Sequence, residues 1–126
     1  MIQIYLLLNS LLYLIFSVWC LLKPSATANS LGYSFLNNSG KVEYLTIYVG
    51  LEMGFSVFLA LSAFYHNIQL SGLIFCVCLY AGAMIIRTGC ALFYGNVSKI
   101  TYMVGGLEYL FGIWGAILLF KNLNAN

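Results

Sequence analysis

The chain is short of charge. Charged residues make up 6% of its 126 residues, where a soluble domain carries about a quarter. It has a single arginine, a single histidine and a single proline. The hydrophobic fraction is 63%, and the polar remainder is too broken up to form a soluble domain. The length leaves room for one domain. A net charge of +2 is too small to argue for nucleic acid. The cations are scattered singly, which excludes a polybasic lipid-binding cluster.

Sets of residues that carry chemistry are also lacking. Cys20, Cys76, Cys78 and Cys90 all lie inside apolar runs. Cys76 and Cys78 are two apart, so on a helix they point to different sides. His66 lies in another segment, which leaves no metal site. The cysteines read as small packing residues, with no disulfide framework. There is no histidine pair for haem, no CxxC and no nucleophile beside a base. Neither a cofactor nor enzyme chemistry is therefore expected.

What the chain does have is four apolar runs, at residues 2–22, 44–65, 70–93 and 101–120. Each is close to the ~20 residues that a helix needs to cross a bilayer. The expected fold is all-α, a four-helix transmembrane bundle forming one integral membrane domain over residues 1–126, with the lipid bilayer as its surroundings. Lys23 and Pro24 stop the first run, since proline cannot continue a helix and lysine suits the interface. Within that run Asn9, Ser10, Tyr13 and Ser17 mark a face turned to neighbouring helices. Ala26-Thr27-Ala28 has the form of a signal-peptidase site. No cation precedes the run, however, and it is longer than a signal h-region, so it reads as a retained span.

Residues 23–43 are rich in Ser, Asn and Gly and read as a loop. Residues 66–69 are too short for anything but a turn, so the second and third spans form an antiparallel hairpin, with His66 at the interface. Residues 94–100 form a second loop on the side of the first. Tyr5, Tyr44, Tyr48, Tyr65, Tyr94 and Tyr102 fall near span ends, as an aromatic belt would. Gly50 and Gly54 have GxxxG spacing and offer a close-approach surface opposite Glu52. Glycine-rich faces of this kind permit a homodimer.

Each of the last three spans carries one charge: Glu52, Arg87 and Glu108. A charge in mid-bilayer costs roughly 2.5–3.5 kcal/mol on insertion scales, so such residues face a bundle interior or a wet cavity and pair. Counted from the long-loop side, Glu52 sits roughly 12 Å deep, Glu108 roughly 10 Å and Arg87 roughly 9 Å. The common level predicts a buried Glu52–Arg87–Glu108 cluster. Tyr13 and Ser17 from the first span can reach the same layer. On the third span Arg87 shares its face with Cys76, Tyr80, Ala83, Cys90, Ala91 and Tyr94, so Tyr80 and Tyr94 offer it hydroxyls. Glu108 shares its face with Gly105, Gly112 and Gly115, which lets that face approach another backbone.

Two readings of the cluster stay open. It can be a clasp that fixes helix register, or a site for a proton or small ligand. Val49-Gly50-Leu51-Glu52-Met53-Gly54-Phe55 also echoes Gly105-Gly106-Leu107-Glu108-Tyr109-Leu110-Phe111, as parallel repeats would. Lys23, Lys41 and Lys99 lie on the long-loop side and Lys121 on the other. The positive-inside rule then puts the loops in the cytoplasm and both termini outside.

These features resemble an uncharacterised family of small bacterial four-helix integral membrane proteins. The likeness rests on Pro24 after the first span, Tyr48-Val49-Gly50-Leu51-Glu52 in the second, Arg87 late in the third, and Gly106-Leu107-Glu108 in the fourth, and it covers nearly the whole chain. It implies the fold and a bacterial inner-membrane location, and no activity. The shape is also similar to that of the DoxX-like four-helix proteins, some of which accompany oxidoreductases, an analogy of fold alone. Small multidrug exporters have a similar length and a membrane glutamate. Theirs lies in the first helix and lacks a paired arginine, so proton-coupled transport of a small molecule is the second reading.

Overall fold

Apolar runs of this length satisfy their backbone in lipid only as helices, and helix is what they form. A computed structural model describes residues 1–124, and among these there is no strand. The final two residues of the polar tail lie outside the described residues. Helix α1 (Ile2–Leu22) is about 32 Å long at 1.5 Å per residue, enough to cross the hydrocarbon layer. Lys23 leaves the helix at φ −135° and ψ 60°, outside the α region that a following proline disfavours.

The same proline that ends α1 begins the next helix. Pro24 stands at the first position of α2 (Pro24–Ser30), where its missing N–H is no loss. Helix α3 (Asn38–Leu45) starts under Asn37, whose side chain accepts from the Gly40 N–H at 2.9 Å. The stretch expected as a loop is therefore partly helical. The second span begins at Asn38 and not at residue 44. It runs through a π-helical segment, Thr46–Leu51, into α4 (Glu52–Phe64). A 3-10 turn (His66–Ile68) leads into α5 (Gln69–Tyr94), the expected antiparallel hairpin. Gly95, at φ +64°, ends α5, and Ser98 caps α6 (Lys99–Leu123) by accepting from the Thr101 N–H.

Helices α1, α4 and α5 form the core, where Leu6, Leu59, Leu73 and Cys76 are fully buried. The polar residues of α1 do face its neighbours. Ser10 Oγ donates to the Ser56 carbonyl at 2.8 Å and Ser56 Oγ donates back to the Ser10 carbonyl at 2.9 Å. Tyr80 donates to Asn9 Oδ1 at 2.5 Å, and Asn9 Nδ2 donates to the Tyr5 carbonyl at 2.7 Å. Small residues set the closest crossings. A Cβ on Gly72 would lie 2.5 Å from Ser62 Cβ, and one on Gly115 would lie 2.5 Å from the Tyr5 hydroxyl. Helix α6 lies along α5 through Gly105, Gly112 and Gly115, all buried, as the glycine face of Glu108 predicts.

Only 22–33% of each span is buried inside the molecule. The remaining apolar surface, with Ile85, Leu92 and Phe120 each more than half exposed, faces lipid. The chain is a multi-pass integral membrane protein. Two expectations need correction. Tyr5 and Tyr44 are buried and belong to the packing, while Tyr65, Tyr94 and Tyr102 are exposed as belt residues are. Gly50 and Gly54 touch no other helix, because a Cβ on either would meet nothing within 4 Å. Gly50→Ala and Gly54→Ala should each be neutral or stabilising, by up to about 1 kcal/mol of helix propensity, read by denaturant titration in detergent. A clear loss of stability would place a partner on this face.

Candidate functional site

The three spanning charges do not meet as a cluster. Arg87 Nε and Nη2 donate to Glu108 Oε2 and Oε1, each at 2.6 Å. This is a bidentate fork, the strongest form of a charge-assisted pair. Both carboxylate oxygens and one edge of the guanidinium are committed to it. Gly105 makes room for it: a Cβ there would lie 3.0 Å from Arg87 Cδ and would crowd the arginine stem where it crosses α6. The pair is also less buried than expected. The Arg87 side chain is 33% exposed and that of Glu108 14%, which puts the pair on the flank of the bundle.

Glu52 stands apart. It is half-buried, and its Oε2 is shielded from solvent with no hydrogen-bond partner. The reason lies in the packing. Helix α6 rests chiefly on α5, whereas α4 is packed on α1 and α5. Helices α4 and α6 thus flank α5 and share at most marginal contact. A common depth brought the charges to one level without bringing them together. The two Gly-Leu-Glu stretches also differ in backbone. Gly50 and Leu51 end the π-helical segment, whereas Gly106 and Leu107 lie in regular α-helix. π-Helical turns inside α-helices are uncommon and recur at functional sites.

The four supporting residues divide. Tyr13 is half-buried, packs edge-on against Phe55 at 5.9 Å, and lies within electrostatic reach of Glu52 and Tyr80. Tyr80 is buried, lies within electrostatic reach of both glutamates, and donates its proton to Asn9. Ser17 does not join the charged layer. It is buried, and its hydroxyl donates to the Leu14 carbonyl of its own helix at 2.9 Å, a local bond common for serine in helices. Tyr94 is 76% exposed. It closes α5 and lines a groove of about 330 Å³ beside Arg87, with Ala83, Ile86, Cys90 and Thr101.

Tyr48 belongs to this site although charge pattern alone does not single it out. It is half-buried one helical turn before Glu52 and lies within electrostatic reach of that carboxylate. Its hydroxyl donates to the Tyr33 hydroxyl at 3.0 Å, and its ring packs against Tyr44 at 4.6 Å and Phe16 at 6.2 Å. The available signal was its spacing of four from Glu52. Cys20 and Cys76 are buried, while Cys78 and Cys90 are exposed. Among the described residues no three His, Cys, Asp or Glu side chains come together.

No family model, curated protein or solved structure matches the chain.

Proposed function

We propose that this chain is a non-enzymatic protein of a bacterial inner membrane that holds a small cationic ligand at Glu52, with the Arg87–Glu108 pair as its clasp. The observation that carries this reading is the unpartnered Glu52 Oε2. Buried polar atoms are nearly always paired, and an exception calls for an explanation. The chain's one arginine is engaged by Glu108, which leaves the Glu52 carboxyl without that counter-ion and open to a ligand. Membership of the small bacterial four-helix family is part of the same proposal, supported by Tyr48, Glu52, Arg87 and Glu108. The lysines at 23, 41 and 99 support an orientation with both termini outside the cytoplasm.

A second reading, proton-coupled transport, draws on the same carboxylate. An acidic residue with no counter-ion can exchange a proton for a cationic substrate, as intramembrane acids in transporters do. One experiment tests the shared premise. Infrared difference spectra of protein in bilayers should show a carboxyl band that is absent from Glu52→Gln and perturbed by ligand. The Glu108 carboxylate band should stay unmoved. Bands from both residues that ignore every additive would reduce Glu52 to a packing residue and remove the basis of either reading.

A further inference from the structure

We infer that the seam between α5 and α6 holds one phospholipid, with its phosphate on the free edge of Arg87 and an acyl chain in the groove beside it. This site is separate from Glu52 and does not depend on it. A guanidinium carries five N–H donors. The fork to Glu108 uses Nε and one hydrogen of Nη2. Nη1 and the second Nη2 hydrogen remain, and together they form another two-pronged edge. Arginine recognises the paired oxygens of carboxylate and phosphate through such edges.

There is space beside that arginine to receive a ligand. Two grooves, of about 330 and 390 Å³, adjoin it, and Arg87, Ala91 and Thr101 line both. Each is within the size range of small-ligand sites. No carboxylate among the described residues lines either groove, Glu108 included. That carboxylate is the more covered member of the pair, at 14% exposure against 33% for the arginine. A ligand in the grooves therefore meets the guanidinium and not its counter-ion.

The rest of the lining is mostly apolar or hydroxylic, and it opens to lipid. Ile86, Leu92, Tyr94 and Tyr102 are exposed. A charged donor facing hydrocarbon is costly unless it finds an acceptor, and the anionic acceptor that a bilayer itself brings is the phosphate of a lipid. Depth allows the contact. Helix α5 has 26 residues and is about 39 Å long, against a hydrocarbon layer of about 30 Å. Arg87 stands two turns before its end at Tyr94. With the overhang divided between both ends, it lies about 6 Å below the headgroups, and bilayers thin locally around an intramembrane arginine. Basic pockets between spanning helices hold lipid headgroups in this way. Ala83, Ile86 and Val97 give the first groove an apolar wall for the acyl chain.

The test uses the full chain, stripped of lipid in detergent, with dioleoylphosphatidylglycerol as the probe and native mass spectrometry as the readout. One molecule per chain should bind saturably. Dioleoylglycerol, which has the same acyl chains and no phosphate, should bind at least tenfold more weakly. Millimolar inorganic phosphate should not displace the lipid. Glu108→Gln keeps the guanidinium and should bind at least as well as the parent. Arg87→Ala combined with Glu108→Gln removes the guanidinium without stranding a charge, and should weaken binding at least tenfold. Ala91→Phe fills the wall shared by both grooves and should weaken it several-fold. Circular dichroism and gel filtration confirm that each variant is folded. Equal binding of dioleoylglycerol overturns the phosphate contact, and undiminished binding to the double variant overturns the site. Displacement by inorganic phosphate overturns the lipid as its source. Uptake of many lipids without saturation reduces the contact to the ordinary lipid annulus and overturns the proposal as well.

Discussion

Arg87→Ala should lower the stability of the protein by about 3 kcal/mol, the lower end of the cost of stranding one partner of a buried ion pair. The lower end applies because the Arg87 side chain is 33% exposed. The penalty comes from Glu108, which is left charged, 14% exposed and without its fork. Adding Glu108→Gln to Arg87→Ala should therefore restore most of the loss, since the amide carries no charge to strand. Adding Glu52→Gln to Arg87→Ala should restore nothing, because Glu52 makes no bond to the guanidinium. Unfolding in mixed micelles measures all three. Rescue by Glu52→Gln equal to rescue by Glu108→Gln would bring back the three-membered cluster. No loss on Arg87→Ala would mean that the fork contributes nothing.

This asymmetry between two glutamates is where reading from sequence stopped. Depth in the membrane is legible because each residue of a spanning helix advances about 1.5 Å, and Arg87 and Glu108 do sit at one level. Azimuth about the bundle axis is not legible, because it depends on which helix packs against which. The wheel set Gly50 and Gly54 away from Glu52, but it could not tell a lipid-facing side from a helix contact. Glycines 105, 112 and 115 share the Glu108 side, and that side meets α5. The missed start of the second span has a local cause. The residues of α3 are on average hardly apolar, so hydropathy ends near Tyr44 while the capped backbone continues to Asn38. The π-helical turn before Glu52 covers six residues, too few for its i→i+5 ladder to show in the apolar pattern.

Among single methyl additions, Gly72→Ala should be the most damaging at the core crossing. Its Cβ would lie 2.5 Å from Ser62 Cβ, 2.8 Å from Ser62 Oγ and 3.3 Å from Leu6 Cδ2. Both residues are buried, and the nearest atom, Ser62 Cβ, is fixed to its own backbone. Helices α4 and α5 must then separate, and overpacking of this kind costs about 2–3 kcal/mol. That outweighs the gain of up to about 1 kcal/mol in helix propensity from replacing glycine. The obstruction has one dominant source, so it can be moved. Ser62→Gly removes both of the closest atoms, and Ser62 Oγ has no hydrogen-bond partner to lose. The exchange Gly72→Ala with Ser62→Gly should recover most of the stability, leaving one alanine and one glycine at the crossing in reversed places. Recovery requires that α4 and α5 meet at this point. A double variant as unstable as Gly72→Ala alone would show that the two helices cross elsewhere, and that the neighbours of Glu52 are not the ones assigned here.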